Sequence, residues 1–543
     1  MAYESIPVLI VGGGLVGLSA ALFLGKHEIP YVLAERRGGT SIHPGARGFN
    51  VRTMELFREL GLEEAIREAG AALTDSTDIY TAETLSVADL DLAANHVPEG
   101  ARLMTGHFAK LADVSPTSGN LCTQDAVEPI LLEAARRQGG DLRFHTELKF
   151  FVQDDSGVTA ILENRATGEQ QTIRAEYMIA ADGAKSQIRR ALGIPMTGRG
   201  SRGHYIHIYF QADLSEIVRG KEFSICNITH PEARGMLVAV NNSDRWCFRV
   251  SCDPAAGQTP EDYPPERCRV LVAKALGIPG LDIRILSVLP WEVAEWVAER
   301  FRDGRIFVAG DAAHVMPLSG GFGANTGVQD VHNLAWKLAA VLDGPAGSAL
   351  LDTYQEERHP VAEYTVKQAG LIADTGMLSS GAETPAGHLV ATLGYRYASK
   401  AVIEQDNGRV TPDGELALDG RPGTRAPHAW VEVYRERRST LDLFGRNFVL
   451  LAGPEGVAWD GAAECASERL GIVINVYLVG PDHDLVDRDD RCLDAYRLTS
   501  DGAVLVRPDG FVAWRAERYS RDAERNLASA LEQILCCTAA VQR

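Results

Sequence analysis

Apolar and polar positions fall into a pattern that opens as strand, turn, helix and strand. An apolar run at residues 7–11 leads directly into Gly12-Gly13-Gly14-Leu15-Val16-Gly17, and an apolar helix follows through Leu24. A second strand is predicted at residues 31–34, ending at Glu35. Met54, Leu56, Phe57 and Leu60 recur at helical spacing and predict a helix over 51–60. Another is predicted over 126–137, with Thr123 or Asp125 as its N-cap. Alternation predicts strands near 144–152, 158–163 and 171–174, and the apolar stretch 177–181 reads as a buried strand ending at Asp182-Gly183. Residues 200–290 are richer in strand-like runs, notably 204–210 and 246–250, and predict a sheet-bearing second domain.

The pattern then returns to a buried strand at 306–309, ending at Gly310-Asp311. A glycine-rich loop, Gly320-Gly321-Phe322-Gly323, leads into a helix over 328–342, and a longer helix is predicted over 351–371. Residues 406–428, rich in Gly, Pro and Asp, read as a linker. Beyond them come a strand (448–452), a helix (462–470), a strand (472–479), a hairpin turning at Asp509 and Gly510, and a helix (521–535).

Composition narrows the class. At ~150 residues per domain, 543 residues imply roughly three or four domains. The formal net charge of −19 argues against non-specific binding to nucleic acid or an anionic membrane. An anionic ligand must therefore be held by helix ends and placed arginines. The nine cysteines are scattered, with no CxxC and no zinc-ligand spacing, so no metal site is expected and a reduced cytoplasmic compartment is the default. No stretch reaches the ~18 apolar residues of a membrane span, and the N-terminus lacks the parts of a signal peptide. The expectation is a cytoplasmic enzyme.

The opening glycines stand where a dinucleotide fingerprint requires them. Gly12 permits the tight turn, Gly14 lets backbone approach a pyrophosphate, and Gly17 lets helix and strand pack closely. The backbone of Leu15 and Val16 opens the helix whose N-terminus would face the phosphates. Glu35, with Arg36 beside it, suits a ribose hydroxyl pair and would repel a 2′-phosphate, which indicates FAD or NAD rather than NADP. Alone, this motif also fits a plain NAD dehydrogenase.

Two further motifs follow in order: YMIAADGAKSQIRR at 177–190 and GRIFVAGDAAHVMPLSGGFGANTGVQDVHNLAWKLA at 304–339. With the glycine turn, they resemble the FAD-dependent aromatic hydroxylases of the para-hydroxybenzoate hydroxylase type over residues 1 to about 375. GYRYASKAV, GRPGTRAPHAW and the tail resemble the aromatic polyketide hydroxylases of that family. The resemblance implies an α/β fold with a Rossmann-like FAD-binding domain (1–75, 101–190 and 291–405), an inserted mainly β substrate domain (76–100 and 191–290) and a thioredoxin-like domain (429–543) without redox cysteines. It implies cofactor contacts from Arg47, Gln124, Asp182, Gly183, Gly310, Asp311, Pro317, Gly320, Gly321, Gly323, Ala324 and Asn325. Gly45 stands where the family usually has Arg, and Leu318 where it has a second proline.

By the same resemblance, NADPH reduces the flavin, and dioxygen then forms a flavin C4a-hydroperoxide that attacks an electron-rich ring. The substrate is expected to be a polycyclic aromatic, polyketide-type phenol. Arg396 is the candidate for stabilising its ionised form, and Tyr209 for lining the pocket. His314 reads as a structural partner rather than a general base. Baeyer–Villiger insertion, epoxidation or ring rearrangement, and inactivation of an aromatic antibiotic, are the alternative outcomes of the same cofactor chemistry. A monomer or homodimer is expected.

Overall fold

The computed structural model describes residues 4–74, 76, 78–88, 111–375, 387–403 and 416–537. Residues 77 and 89–100 of the expected substrate domain, 101–110 and 404–405 of the expected FAD-binding domain and 406–415 of the expected linker are among those that lie outside them. The first sheet is parallel at its centre, where Ile306–Val308, Gln170–Ala180, Glu4–Val11, Tyr31–Ala34 and Asp141–Arg143 lie side by side. Parallel strands are covered on both faces, which is why 8–11, 31–34 and 177–180 are buried without alternation. Residues 171–174 and 177–181 are one strand, not two. Its first half pairs with the antiparallel strand Gly157–Asn164 and its second half enters the parallel core. The carboxyl ends of four strands deliver Gly12, Glu35, Asp182 and Gly310-Asp311 to a single edge, where ligands of open α/β sheets bind.

The second sheet has seven strands. Its axis is the long strand Met196–Gln211, which pairs antiparallel with Arg245–Cys252 on one side and Arg284–Ala298 on the other. Ile79–Ala82 completes its far edge, parallel to Ile225–Ile228. One face, with Ile206, Ile208, Phe210, Trp246, Phe248 and Leu237, packs on the helix Pro265–Leu276. At the near edge His314–Val315 pairs with Trp296 and Val297, so the loop after Asp311 is hydrogen-bonded into this sheet.

The C-terminal sheet is also buried on both faces. Phe448, Leu450 and Ala452 point to one core, while Val449 and Leu451 point to another. The helices Ala458–Leu470 and Ala523–Ile534 cover the first face, and the first turn of the former holds Trp459, Asp460, Gly461 and Ala462 with no thiol. All nine cysteines are unpaired.

This unit is docked rather than tethered. Trp336, on the helix Phe322–Leu342, shares its core and meets Phe448 edge-on. Residues 424–426, within the stretch read as a linker, are fully packed, and Arg425 pairs with buried Glu55. Beneath lies a closed charge network: Glu357 accepts from Lys337 Nζ at 2.7 Å and Arg507 Nη1 at 2.6 Å, and Arg507 also pairs with Asp509. Against the cost of burial, Arg507 and Lys337 hold the Glu357 carboxyl below its usual range, while burial pulls Lys337 down to about 8. Replacing Glu357 leaves buried Lys337 without a carboxylate partner and Arg507 with Asp509 alone. Glu357→Gln is expected to cost about 3–5 kcal/mol in guanidinium unfolding. Arg165→Gln, at an exposed pair, should change stability by less than about 1 kcal/mol.

Candidate active site

The phosphate turn is built by steric necessity. Gly12 has φ of +108°, and a Cβ there would lie 2.3 Å from the Ala181 carbonyl oxygen. A Cβ on Gly17 would lie 1.8 Å from the Gly12 carbonyl oxygen. A Cβ on Gly14, by contrast, would meet only Glu128 Oε1, at an ordinary 3.6 Å; Gly14 itself brings no capping side chain to the helix Leu15–Lys26, whose first N–H, at Leu15, goes to that Glu128 oxygen. Val16 packs its side chain against Gly310 and Gly327, so backbone is what it offers at the helix start. Glu35 is buried and accepts from Gly13 N at 2.7 Å and Arg37 N at 2.8 Å; Arg36 beside it is exposed.

The other strand ends present carboxylates. Asp182 spends Oδ2 on Gln187 N and Ile188 N, leaving Oδ1 buried without a partner next to Gly183, whose φ is +83°. Asp311 is solvent-accessible yet walled by protein, as a group lining a cleft would be, and no hydrogen bond to it occurs among the described residues. Burial, opposed by His314, pushes its carboxyl up. Gly310 holds this turn at φ of +59°. Pro317 is buried, whereas Leu318 is exposed.

Consecutive left-handed residues Gly320 and Gly321 then start the helix Phe322–Leu342, which has no side-chain cap and leaves the first N–H groups, at Gly323 and Ala324, free of one. The helix begins six residues earlier than its apolar pattern suggests. Asn325 uses its side chain as a bracket, donating to the carbonyls of Gly48 and Gly321 and accepting from Asn50 N. His314 Nε2 donates to the Asp330 carboxylate at 2.7 Å inside the core, a structural role.

The second sheet turns its other face toward these elements. Cross-strand pairing puts Tyr205, His207 and Tyr209 on it with Ser251, Arg249 and Cys247 on one side and Trp291, Leu289 and Ser287 on the other. His43, from the loop after Glu35, closes over this face: its Nδ1 lies 2.9 Å from Ser287 Oγ, and its Nε2 is buried without a partner. His207 stacks on Trp291 with ring centroids 5.2 Å apart. Burial and Arg249 push His43 down to about 4 and His207 to about 2, so both are neutral at neutral pH. Arg47 reaches across to Ala239 O and Ser224 Oγ, with Nη2 unpartnered. Burial and then Arg249 lower it to about 10, which marks two cations facing one another. Neither arginine pairs with a carboxylate among the described residues.

The two predicted catalytic residues are not brought together. Tyr209 lies on this face, but its hydroxyl accepts from Arg245 Nη1 at 3.0 Å, and burial, opposed by Arg245, raises it. Arg396 donates to the Pro422 carbonyl, with Nε buried and unpartnered. Gln124 accepts from Ala46 N and donates to Glu128.

Residues 5–369 match the family described as FAD binding domain, and residues 419–536 match aromatic-ring hydroxylase, C-terminal. The chain belongs to the FAD-dependent aromatic-ring hydroxylases. It is 43% identical to a tetracenomycin A2 monooxygenase-dioxygenase of Streptomyces glaucescens, over 99% of this chain and 98% of that one. A 4-methyl-5-nitrocatechol 5-monooxygenase of Burkholderia sp is 41% identical, over 98% of each. The crystal structure of an aklavinone-11 hydroxylase with FAD and aklavinone matches with a TM-score of 0.87 at 38% identity, covering 99% of this chain and 100% of that one.

The residues of this hydroxylase fit FAD. The glycine turn at Gly12–Gly17, the orphaned Asp182 Oδ1, the unbonded Asp311 and the uncapped helix at Gly321 lie at the strand ends and loops that a flavin dinucleotide spans. His43, His207, Cys247, Arg249 and Glu128 were missed from sequence. The alternation of Ile206 and Ile208 with His207 and Tyr209 signals a two-faced strand, but not which domain its polar face meets. Gly17→Ala is expected to weaken FAD binding by about 100-fold, read as flavin fluorescence quenching during reconstitution, because its methyl cannot fit without moving Gly12.

Proposed function

We propose that this hydroxylase inserts one oxygen atom of dioxygen into a polycyclic aromatic phenol, using FAD and NADPH. The observation that carries the reading is the sheet face itself, where Tyr205 and Trp291 offer flat apolar surface beside Arg249, Arg47 and two neutral histidines, with Tyr209 buried behind them. When bound, FAD takes electrons from the nicotinamide cofactor and activates dioxygen.

The chain's own task is to hold the ring and favour its electron-rich form. A free phenol ionises near pH 10. Lowering that by two to three units requires about 3–4 kcal/mol of preferential phenolate stabilisation. Two guanidiniums without a carboxylate supply a field of the right sign in a partly dry site. His43 and His207, uncharged, can accept or donate hydrogen bonds without adding charge. This reading moves the role expected of Arg396 to Arg249, because Arg396 is engaged by the Pro422 carbonyl. Leu289, exposed beside His207, and Leu318, exposed in the loop after Asp311, extend the apolar surface a fused ring system would cover.

The similarity to a nitrocatechol monooxygenase favours a second reading, a single-ring phenol. NADPH and NADH oxidation should be followed with aklavinone, tetracenomycin A2 and 4-methyl-5-nitrocatechol, recording product masses. The expected result is stimulation by a polycyclic phenol with a product one oxygen heavier. Stimulation by the nitrocatechol alone would favour the second reading, and equal oxidation without substrate, yielding only peroxide, would contradict both. Arg249→Met is expected to lower kcat/KM by about 10- to 100-fold with FAD content unchanged, and Arg249→Lys to recover part of it.

A further inference from the structure

Three metal-ligating side chains converge on the polar face of the second sheet. One ring nitrogen each of His43 and His207 and the sulfur of Cys247 lie within 4.8 Å of one another, and all three residues are buried. Strand register brings two of them together: Cys247 pairs with Tyr209, which makes it the diagonal neighbour of His207 on the same face. The loop after Glu35 supplies the third, stacking His43 on His207 with ring centroids 6.0 Å apart. The three stand 164 and 40 positions apart along the chain, beyond any local ligand spacing.

Both rings have a nitrogen to give. His43 engages Ser287 Oγ through Nδ1 at 2.9 Å, the kind of bond that orients a metal-bound histidine, and its Nε2 is buried without a partner. His207 makes no hydrogen bond among the described residues; stacking on Trp291 holds its ring. Three donors bonded to one ion at roughly 2.0–2.3 Å stand about 3.5–4 Å apart, so an approach of about 1 Å closes the site. His43, carried by a loop, needs only to tilt.

Charge decides which ion fits. Arg249 and Arg47 are the charged groups acting on these three residues, and no carboxylate is among them. Exchanging the thiol proton for a monovalent cation leaves the local charge as it was. A divalent ion would add a positive charge beside two guanidiniums. Thiolate with imidazole suits Cu(I), the soft monovalent ion of this ligand class.

We propose that His43, His207 and Cys247 form a three-coordinate site for Cu(I). The ion displaces the Cys247 proton, which leaves to solvent, and forms one bond to the sulfur and one to a nitrogen of each ring; no electron is transferred. This goes beyond the proposed function, since no step of hydroxylation passes through the site and its test needs no aromatic ligand.

The FAD-loaded full chain, without NADPH, is titrated anaerobically with Cu(I) supplied as its bicinchoninate complex. Wild type is expected to take up one equivalent, with X-ray absorption at the copper edge showing one sulfur and two imidazole nitrogens on the ion. Cys247→Ser and His43→Asn should each weaken binding by about 100-fold or more. Zinc should bind wild type at least about 100-fold more weakly than Cu(I). No uptake by wild type would overturn the proposal whether or not either variant folds. Two sulfurs on the ion would also overturn it, pointing to the unpaired neighbours Cys536 and Cys537. Zinc held as tightly as Cu(I) would overturn the selection of a monovalent ion.

Discussion

The carboxylate of Asp330 has no solvent exposure and meets three groups at once: His314 Nε2 at 2.7 Å, Arg358 Nε at 2.9 Å and Gly310 N at 3.2 Å. Although burial opposes it, His314 and Arg358 hold this carboxyl below its usual range. Gly310 opens the turn that presents Asp311, and His314 begins the short strand joined to the second sheet. One buried anion thus fixes Asp311, the edge of the second sheet and the helix Phe322–Leu342 relative to one another. Arg358 carries the same network to Tyr397 and to the Thr326 carbonyl. A buried charge with these partners is expensive to break, which favours one arrangement of the cleft over slack alternatives.

The helix Phe322–Leu342 extends that constraint to the third unit. Lys337 and Asn333 meet Glu357, and Trp336 enters the C-terminal core. The cysteines of the C-terminal unit are unpaired, and the unit packs against this helix. Arg507 and Asp509 brace the helix from behind, while Arg52 ties the helix Val51–Glu59 to the Asp509 carbonyl.

The cofactor half was legible because its chemistry rests on backbone. Gly12, Gly17 and Gly310 are demanded by sterics that act over a few residues, and the strands that carry them are buried on both faces. The strand 31–34 was read to the residue for that reason. Two nearby strands were merged in the fold because residues 170–180 change partners midway, which no local pattern records. The polar face of the second sheet was less legible. His43 lies 164 positions from His207, and only their meeting across a sheet face gives either a role. Arg396 stood out as an arginine in an aromatic run, but its direction depends on Pro422, in a segment read as linker.

The proposed chemistry of the sheet face is to receive an ionised aromatic oxygen between Arg249 and Arg47. The most direct measurement is the absorption spectrum of 1-hydroxyanthraquinone bound to the FAD-loaded enzyme at pH 7, because its phenolate absorbs at longer wavelength than the phenol. The phenolate band is expected on binding to wild type and its loss in Arg249→Met. A neutral-phenol spectrum in saturated wild-type enzyme would contradict it.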